Sequence, residues 1–259
     1  MAGPTRTKKS RTKPLNRSTS NTTELTKKIA LVTGGSRGLG RAIAETLAKE
    51  GCRVIIAGRD EQALGVVSAA ISRAGGAAYV RHCDVRNEKS VDALASAIHK
   101  QFGRLDILVN NAGIAHVTAT VDQLSTEAWR EVLDTNLTGM FLVTRAMLPM
   151  MHSGATIINN LSISAKTVFA GMAAYNASKH GALGLTDTLR EELRPRGIRV
   201  ISLVPGATDT EIWQQFWPDA PREKMMSPAS IATVVIAALK MPGSATVSEL
   251  EITPTGGSL

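Results

Sequence analysis

Residues 29–50 read IALVTGGSRGLGRAIAETLAKE, which places an apolar run, a glycine-rich turn and a helical pattern in direct succession. The run at residues 29–33 predicts a buried strand, and the pattern after the glycines predicts a helix that ends at Gly51. This order of strand, glycine turn and helix is typical of an α/β unit that binds a nucleotide.

The glycine turn reads Thr33-Gly34-Gly35-Ser36-Arg37-Gly38-Leu39-Gly40. A side chain at Gly34 or Gly38 would obstruct the tight turn and hold a pyrophosphate away from the backbone N–H groups. Gly40 allows the helix to approach the sheet closely, and the positive end of that helix attracts an anion. Glycine clusters also occur in ordinary turns, but the position between a strand and a helix favours a phosphate site.

Beyond this unit, short β-branched runs alternate with longer helical stretches. Such alternation predicts a parallel sheet covered by helices on both faces. The further strands are expected at residues 53–57, 77–82, 105–110, 155–160, 198–204 and 248–253. Because there is neither a second kind of alternation nor a repeat of fixed period, residues 27–259 are predicted to form one α/β domain.

Most of the net charge of +8 lies near the start of the chain. Residues 1–28 hold eight basic side chains and one acidic one, whereas the rest of the chain has 22 bases and 21 acids. The folded domain is therefore nearly neutral, which argues against a nucleic-acid-binding face on it. Residues 1–26 are rich in Ser, Thr, Lys and Arg, and we expect them to form a disordered basic tail.

Cysteine content and hydropathy exclude further classes of protein. Cys52 and Cys83 are too few for a disulfide framework or a four-ligand zinc site, and no apolar run approaches the roughly 18 residues of a membrane span. The basic segment has neither the apolar stretch of a secretory signal nor the amphipathic face of a transit peptide. We therefore expect a cytoplasmic protein with no membrane span, no metal site and two buried, reduced cysteines.

The residues after the second predicted strand bear on the choice of dinucleotide. That strand ends Ala57-Gly58-Arg59-Asp60, and an acidic residue that would bind the ribose of NAD is absent at Gly58. Arg59 and Arg37 supply two guanidinium groups that suit the 2′-phosphate of NADP(H). Asp60 is the competing feature, because a shift of one residue would bring its carboxylate to the ribose. The sequence thus favours NADP(H) over NAD(H).

The second group of candidate residues is Tyr175-Asn176-Ala177-Ser178-Lys179, in a predicted helix over residues 173–194. Tyr175 and Lys179 are four positions apart and therefore share one face of the helix. An ammonium near a phenol favours the phenolate and lowers its pKa from about 10, so that Tyr175 could act as a general acid or base. Taken alone, a Tyr and a Lys at this spacing are more often ordinary helix-surface residues.

Taken together, these residues resemble the short-chain dehydrogenase/reductase family. The family's motifs occur in order as TGxxxGxG at residues 33–40, Asp84-Val85, Asn-Asn-Ala-Gly at residues 110–113, Asn136, Ser162, YxxxK at Tyr175 and Lys179, and Pro205-Gly206. Each motif is common, whereas the ordered set is specific. The resemblance implies a Rossmann-like, doubly wound sheet of seven parallel strands with the cofactor at the carboxyl ends of the strands.

The resemblance also implies a role for each motif residue. Ser162 would hydrogen-bond the oxygen of the carbonyl or alcohol, and Tyr175 would transfer the proton. Lys179 would hold the nicotinamide ribose and lower the pKa of Tyr175, and Asn136 would anchor a water that connects Lys179 to solvent. The cofactor would contact Gly34, Ser36, Arg37, Gly38, Leu39, Gly40, Arg59, Asp84, Val85, Asn111, Ala112, Gly113, Tyr175, Lys179, Pro205, Gly206, Thr208 and Thr210.

An aromatic cluster follows Pro205 in the sequence. The chain has nine aromatic residues, yet Trp213, Phe216 and Trp217 fall within five positions of one another, before a helix expected to begin near Ser227-Pro228. As a flexible lid, the cluster could close over an apolar carbonyl compound and exclude water. The alternative is that it packs on the domain or against a second subunit.

These features predict an oxidoreductase that transfers a hydride between NADP(H) and a ketone, aldehyde or secondary alcohol of apolar character. One alternative is a 3-oxoacyl carrier-protein reductase, which would need a basic surface for its acidic carrier. Another is a non-catalytic NADP-binding sensor or scaffold, in which Ser162, Tyr175 or Lys179 would be replaced. The resemblance further implies a homodimer or homotetramer that pairs helices near residues 126–148 and 173–194.

Overall fold

Strands and helices alternate along the chain of the computed structural model, which describes residues 24–257 together with Met1 and Gly3. The strands are β1 (Ile29–Thr33), β2 (Arg53–Gly58), β3 (Ala77–His82), β4 (Ile107–Asn110), β5 (Thr156–Asn160), β6 (Arg199–Pro205) and β7 (Glu249–Ile252). The helices are α1 (Gly38–Lys49), α2 (Glu61–Arg73), α3 (Glu88–Phe102), α4 (Thr126–Leu133), α5 (Gly139–Met147), α6 (Ala173–Leu193), α7 (Trp213–Phe216) and α8 (Pro228–Leu239).

The strands that the structure describes form one seven-stranded sheet in the order β3-β2-β1-β4-β5-β6-β7. Every neighbouring pair is parallel, so all the carboxyl ends lie at the same edge. The chain winds outward in opposite directions from β1 and β4. A crevice forms where the strand order reverses, which is where α/β proteins of this type bind their ligands.

The sheet is buried on both faces. Along β1, Ala30 and Val32 pack into the apolar cluster with α1, α2 and α8, whereas Ile29 and Leu31 pack into the cluster with α3, α5 and α6. This burial on both sides explains why the strand reads as a continuous apolar run rather than an alternating one. The fold is therefore the doubly wound, Rossmann-like α/β domain that the sequence predicts.

The side chain of Ser227 caps α8 at the predicted position. Ser227 accepts a hydrogen bond from the backbone N–H of Ser230 at the start of α8, where Pro228 occupies the first turn.

Between α4 and α5 the backbone continues through a π-helical turn, Asp134–Thr138. Such turns are frequent at functional sites, and this one carries Asn136.

The predicted strand segments coincide with the observed strands, and their ends differ by two residues or fewer. The largest difference is at β4, where Leu105 bonds to the carbonyl of Met150 and the sheet begins only at Ile107. The helix predicted over residues 173–194 is α6. Its last predicted residue, Arg194, instead begins a 3₁₀ turn with Pro195.

The predicted tail, residues 1–26, lies outside the described residues except for Met1, Gly3 and residues 24–26. Leu25 is buried in the core, and its carbonyl accepts a hydrogen bond from the thiol of Cys52. The packed domain thus begins slightly before residue 27. Both cysteines are buried, as predicted.

Within residues 24–257, no helix is both long enough and apolar enough to cross a membrane. The same residues contain no group of three or more His, Cys, Asp or Glu side chains placed to hold a metal ion.

Gly40 provides a test of the close approach between α1 and the sheet. A Cβ atom there would lie 2.2 Å from Asn111 Nδ2 and 2.3 Å from the carbonyl oxygen of Gly34. We predict that Gly40→Ala lowers the free energy of unfolding by about 1–3 kcal/mol, because backbone must move to admit the methyl group. Urea denaturation measures this loss.

Gly184→Ala is the matched control for that substitution. Gly184 lies in the exposed middle of α6, where a Cβ would meet nothing within 4 Å. The same change should therefore stabilise the protein by up to about 1 kcal/mol through helix propensity. Equal effects at the two glycines would contradict the proposed steric role of Gly40.

Candidate active site

A cleft of about 990 Å³ lies at the carboxyl ends of the strands. Every residue predicted to contact the cofactor lines it, namely Gly34, Ser36, Arg37, Gly38, Leu39, Gly40, Arg59, Asp84, Val85, Asn111, Ala112, Gly113, Tyr175, Lys179, Pro205, Gly206, Thr208 and Thr210. Ser162 lines it as well. The fourth predicted catalytic residue, Asn136, does not line the cleft but bonds to Ile114, which does.

The glycine turn has the geometry of an anion site. Gly34 and Gly38 have φ of +63° and +52°, a region that residues with a side chain seldom occupy. No side chain of the described residues caps the first turn of α1, whose N-cap is Arg37. The first N–H groups of α1 are therefore available to an external anion, at the positive end of the helix.

Thr33 and Asn111 fasten the glycine turn to the end of β4. The Thr33 hydroxyl oxygen accepts hydrogen bonds from the backbone N–H groups of Asn111 (3.0 Å) and Ala112 (3.1 Å). In return, Asn111 Nδ2 donates to the carbonyl oxygens of Thr33 (3.0 Å) and Gly34 (3.1 Å). The turn and the floor of the cleft are thus one hydrogen-bonded unit.

The same unit extends to the predicted catalytic lysine. Asn160, at the end of β5, donates from its side-chain amide to Asn111 Oδ1 at 2.9 Å. The backbone carbonyl of Asn160 accepts a hydrogen bond from Lys179 Nζ, also at 2.9 Å. Only two residues, Asn111 and Asn160, therefore separate the glycine turn from the ammonium group.

Tyr175 and Ser162 face each other in the cleft. The Ser162 hydroxyl oxygen accepts the N–H of Ser164 at 3.1 Å, so that its own proton is available for donation. Burial raises the pKa of the Tyr175 phenol above its ordinary value, and its hydrogen bond with Ser162 offsets part of that rise. The phenol is therefore protonated at neutral pH.

Lys179 is a buried residue of the cleft. Its side chain is 5% exposed, and burial lowers its pKa to about 8. Its Nζ atom lies 5.6 Å from the centroid of the Tyr175 ring and bonds to a backbone carbonyl. Burial is the largest influence on the pKa of Tyr175, and it raises that pKa. The expectation that the Lys179 ammonium acts in the opposite direction stays a prediction from the sequence.

Asn136 holds the loop after β4 in place. Its Oδ1 accepts the N–H of Ile114 at 2.8 Å, and its Nδ2 donates to the carbonyl of Ile114 at 2.9 Å and to the hydroxyl of Ser178 at 3.0 Å. That hydroxyl in turn donates to the carbonyl of Tyr175. Asn136 thereby ties the cleft floor to α6, the helix that carries Tyr175 and Lys179.

Charged side chains lie in the part of the cleft next to the end of β2. Gly58 ends β2 there, and the exposed residues Arg37 and Arg59 line the same cleft. The carboxylate of Asp60, the competing feature in the sequence, accepts the N–H of Ala63 and so caps α2. Its role as an N-cap accounts for an acid at this position without a ribose contact.

Arg86 is a residue at this end that the sequence did not single out. Its guanidinium binds both carboxylate oxygens of Asp84, with 2.7 Å between Nη2 and Oδ2, and also bonds to Glu131. This pairing holds the pKa of Asp84 below its usual range. The Asp-Arg pair in Asp84-Val85-Arg86 was visible in the sequence, but the bidentate geometry was not.

The aromatic cluster of Trp213, Phe216 and Trp217, called the lid below, also lines the cleft. Trp213 packs against Phe216 and Trp217, with ring centroids 4.8 Å and 6.1 Å away, and all three line the cleft. Two bonds fasten this lid to the loop after β4, because Ala115 N–H donates to Gln215 Oε1 and the Thr118 hydroxyl donates to the carbonyl of Phe216. Spatial neighbours about a hundred positions apart carry no local sequence signal.

Comparison with known proteins identifies the family. The family model described as short chain dehydrogenase matches residues 28–221. A 3beta-hydroxysteroid dehydrogenase from Mediterraneibacter gnavus is 40% identical over 189 residues, 73% of this chain and 68% of that protein. The chain therefore belongs to the short-chain dehydrogenase family, as its motifs suggested.

Solved structures agree with this assignment. A short chain dehydrogenase from Burkholderia cenocepacia in complex with NADP is 31% identical with a TM-score of 0.82, over 91% of this chain and 99% of that one. A 3-ketoacyl-(acyl-carrier-protein) reductase from Brucella melitensis complexed with NADH is 31% identical with a TM-score of 0.80, over 88% of this chain and 98% of that one.

The hydrogen bonds of the Thr33 hydroxyl can be tested without changing the volume of the side chain. Thr33→Val keeps the side-chain volume but leaves the N–H groups of Asn111 and Ala112 without their acceptor. We expect the free energy of unfolding to fall by about 2–4 kcal/mol, since each lost acceptor leaves a partly buried donor unpaired. Chemical denaturation gives the value.

Thr33→Ser serves as its control, because serine retains the hydroxyl and loses one methyl group. We expect a loss of only about 1 kcal/mol for that change. If Thr33→Val were as stable as Thr33→Ser, the hydrogen bonds of the Thr33 hydroxyl between the ends of β1 and β4 would contribute nothing to stability.

Proposed function

We propose that this protein is an NADP(H)-dependent oxidoreductase that interconverts a ketone or aldehyde and the corresponding alcohol, with an apolar substrate. The observation that carries the proposal is the pairing of the Tyr175 phenol with the Ser162 hydroxyl, in one cleft with Lys179, the glycine turn and the aromatic lid. A complete acid-base set in a cleft favours catalysis over the alternative of a non-catalytic sensor.

The glycine turn fits the pyrophosphate of a dinucleotide. Gly34 and Gly38 have the positive φ that such a turn requires, and the uncapped N-terminus of α1 offers N–H groups and a positive partial charge. The cofactor, when bound, supplies the hydride. The residues of this chain then have to hold it, orient the substrate and provide the proton.

NADP(H) is the cofactor that the charges favour. Arg37 and Arg59 line the same cleft as Gly58 and suit a 2′-phosphate there, whereas the carboxylate of Asp60 is engaged in capping α2. The NADP complex of the Burkholderia relative supports the same choice. The Brucella relative was solved with NADH, so family membership alone does not select the cofactor.

Proton donation to a carbonyl falls to Tyr175. Because its pKa is raised, the phenol carries its proton at neutral pH and can pass it from Oη to the substrate oxygen as charge develops there. The Ser162 hydroxyl, which already accepts from Ser164, donates its own hydrogen to the same oxygen. Lys179 is mostly charged below its pKa of about 8 and stabilises the phenolate that remains.

The lid end of the cleft suits a bulky apolar substrate. Phe169 and Met172 line it together with the lid, and Trp217 is 43% exposed at its rim. The loops that bound the lid also expose Val117 and Val168. These surfaces favour the lid interpretation of the aromatic cluster over mere packing on the domain.

A 3-oxoacyl carrier-protein reductase is the second candidate, and the Brucella relative favours it. Two basic side chains, Lys166 four residues after Ser162 and Arg222 after the lid, are however already paired with acidic side chains. Lys166 binds Glu249 and Glu251, and Arg222 binds Asp209. These pairs leave less positive charge for an acidic carrier protein, so we favour a free small-molecule substrate. The homo-oligomer and the cytoplasmic location stay predictions from the sequence.

The proposal is tested by following NADPH absorbance with a panel of apolar ketones and aldehydes. We expect turnover with NADPH, and slower turnover with NADH. Tyr175→Phe should lower kcat by a factor of at least about 100, because the phenylalanine ring lacks the transferable proton. Circular dichroism and an NADPH titration of the variant establish that it folds and binds the cofactor.

Wild-type turnover in Tyr175→Phe would refute the proton-transfer role. Absence of turnover with every carbonyl and alcohol in the panel, in a wild-type protein that binds NADPH, would favour the sensor. Reduction of 3-oxoacyl groups only when they are attached to a carrier protein would favour the second candidate.

A further inference from the structure

Glu211 occupies an unexpected place in the cleft. It lies between the strand β6 and the lid helix α7, yet its Oε2 comes within 3.2 Å of the position that a Cβ of Gly38 would take. Gly38 opens α1, at the uncapped end described above. A carboxylate of this chain therefore lies beside the glycine turn, at the end of α1 that the proposed function assigns to a cofactor phosphate.

The backbone before Glu211 is firmly held. Arg222 donates to the carbonyl of Thr210 at 2.7 Å and to Asp209 Oδ1 at 2.8 Å. The backbones of Thr208 and Met226 form a β-bridge. These contacts fix the point from which the Glu211 side chain extends over the turn.

The carboxylate itself has no protein partner. Within residues 24–257, no side-chain hydrogen bond or ion pair engages Glu211, which is exposed and lines the cleft. The positive end of α1 accounts for its position, because an uncapped helix N-terminus attracts a carboxylate as it attracts a phosphate. Two anions cannot share that place without repulsion.

We propose that Glu211 is an internal competitor for the pyrophosphate site, which weakens cofactor binding and must be displaced when the cofactor enters. The inference rests on the proposed function only in taking NADP(H) as the dinucleotide. It assigns Glu211 no part in the chemistry. The lid segment would thus carry the group that regulates access to the glycine turn.

The test compares Kd values for NADPH in the absence of substrate, by calorimetry, in the wild type and in Glu211→Gln. The amide keeps the shape of the side chain and removes its charge. We expect Glu211→Gln to bind NADPH on the order of tenfold more tightly, the size expected for a partly solvated repulsion at short range. Asp219→Asn removes an exposed charge that does not line the cleft, and should leave Kd within about twofold.

A second ligand, 2′-AMP, separates local repulsion from a general charge effect. It carries the 2′-phosphate but no pyrophosphate, so its Kd should be equal in the wild type and in Glu211→Gln. Three results would each overturn the proposal. Glu211→Gln could tighten the binding of NADPH and of 2′-AMP equally, Glu211→Gln and Asp219→Asn could tighten NADPH binding equally, or Glu211→Gln could leave the Kd for NADPH unchanged. If neither protein binds NADPH, the proposed cofactor fails too; if both bind it equally, only the competitor role fails.

Discussion

The side-chain amide of Asn111 is the contact on which the rest of the site depends. It binds the carbonyl oxygens of Thr33 and Gly34 at one end and accepts from Asn160 at the other. Because the backbone carbonyl of Asn160 also accepts from Lys179, the glycine turn and the Lys179 ammonium are held relative to each other through these two asparagines. Catalysis needs such preorganisation, since small displacements of the reacting groups greatly reduce the rate.

Burial is the second constraint, and it shifts the pKa values of Tyr175 and Lys179 in opposite directions. It raises the pKa of Tyr175 and lowers that of Lys179 from 10.5 to about 8, the latter equivalent to roughly 3 kcal/mol. The result is a protonated phenol beside an ammonium that is mostly charged at neutral pH and loses its charge above a pKa of about 8. The site is therefore suited to give a proton to a carbonyl oxygen, and its charge state is sensitive to mild alkali.

The sequence predicted the fold and the composition of the cleft well, because both depend on local patterns. Apolar runs located the strands, and the glycine turn, Ser162 and the Tyr175 motif all lie at the carboxyl ends where the parallel topology brings them together. Contacts between distant segments could not be predicted in this way. Glu211 meets Gly38 across more than 170 positions, and the pKa of Tyr175 depends on its burial, which no short motif records.

The most direct test of this account is the dependence of kcat/KM on pH for NADPH-driven carbonyl reduction, because this ratio reports the free enzyme. Lys179 must be charged, so the account predicts a plateau near neutral pH and a tenfold fall for each unit above a pKa of about 8. In Lys179→Met the overall rate should be low and this inflection absent. A wild-type profile that stays level to beyond pH 9.5, or an inflection near 8 that persists in Lys179→Met, would contradict it.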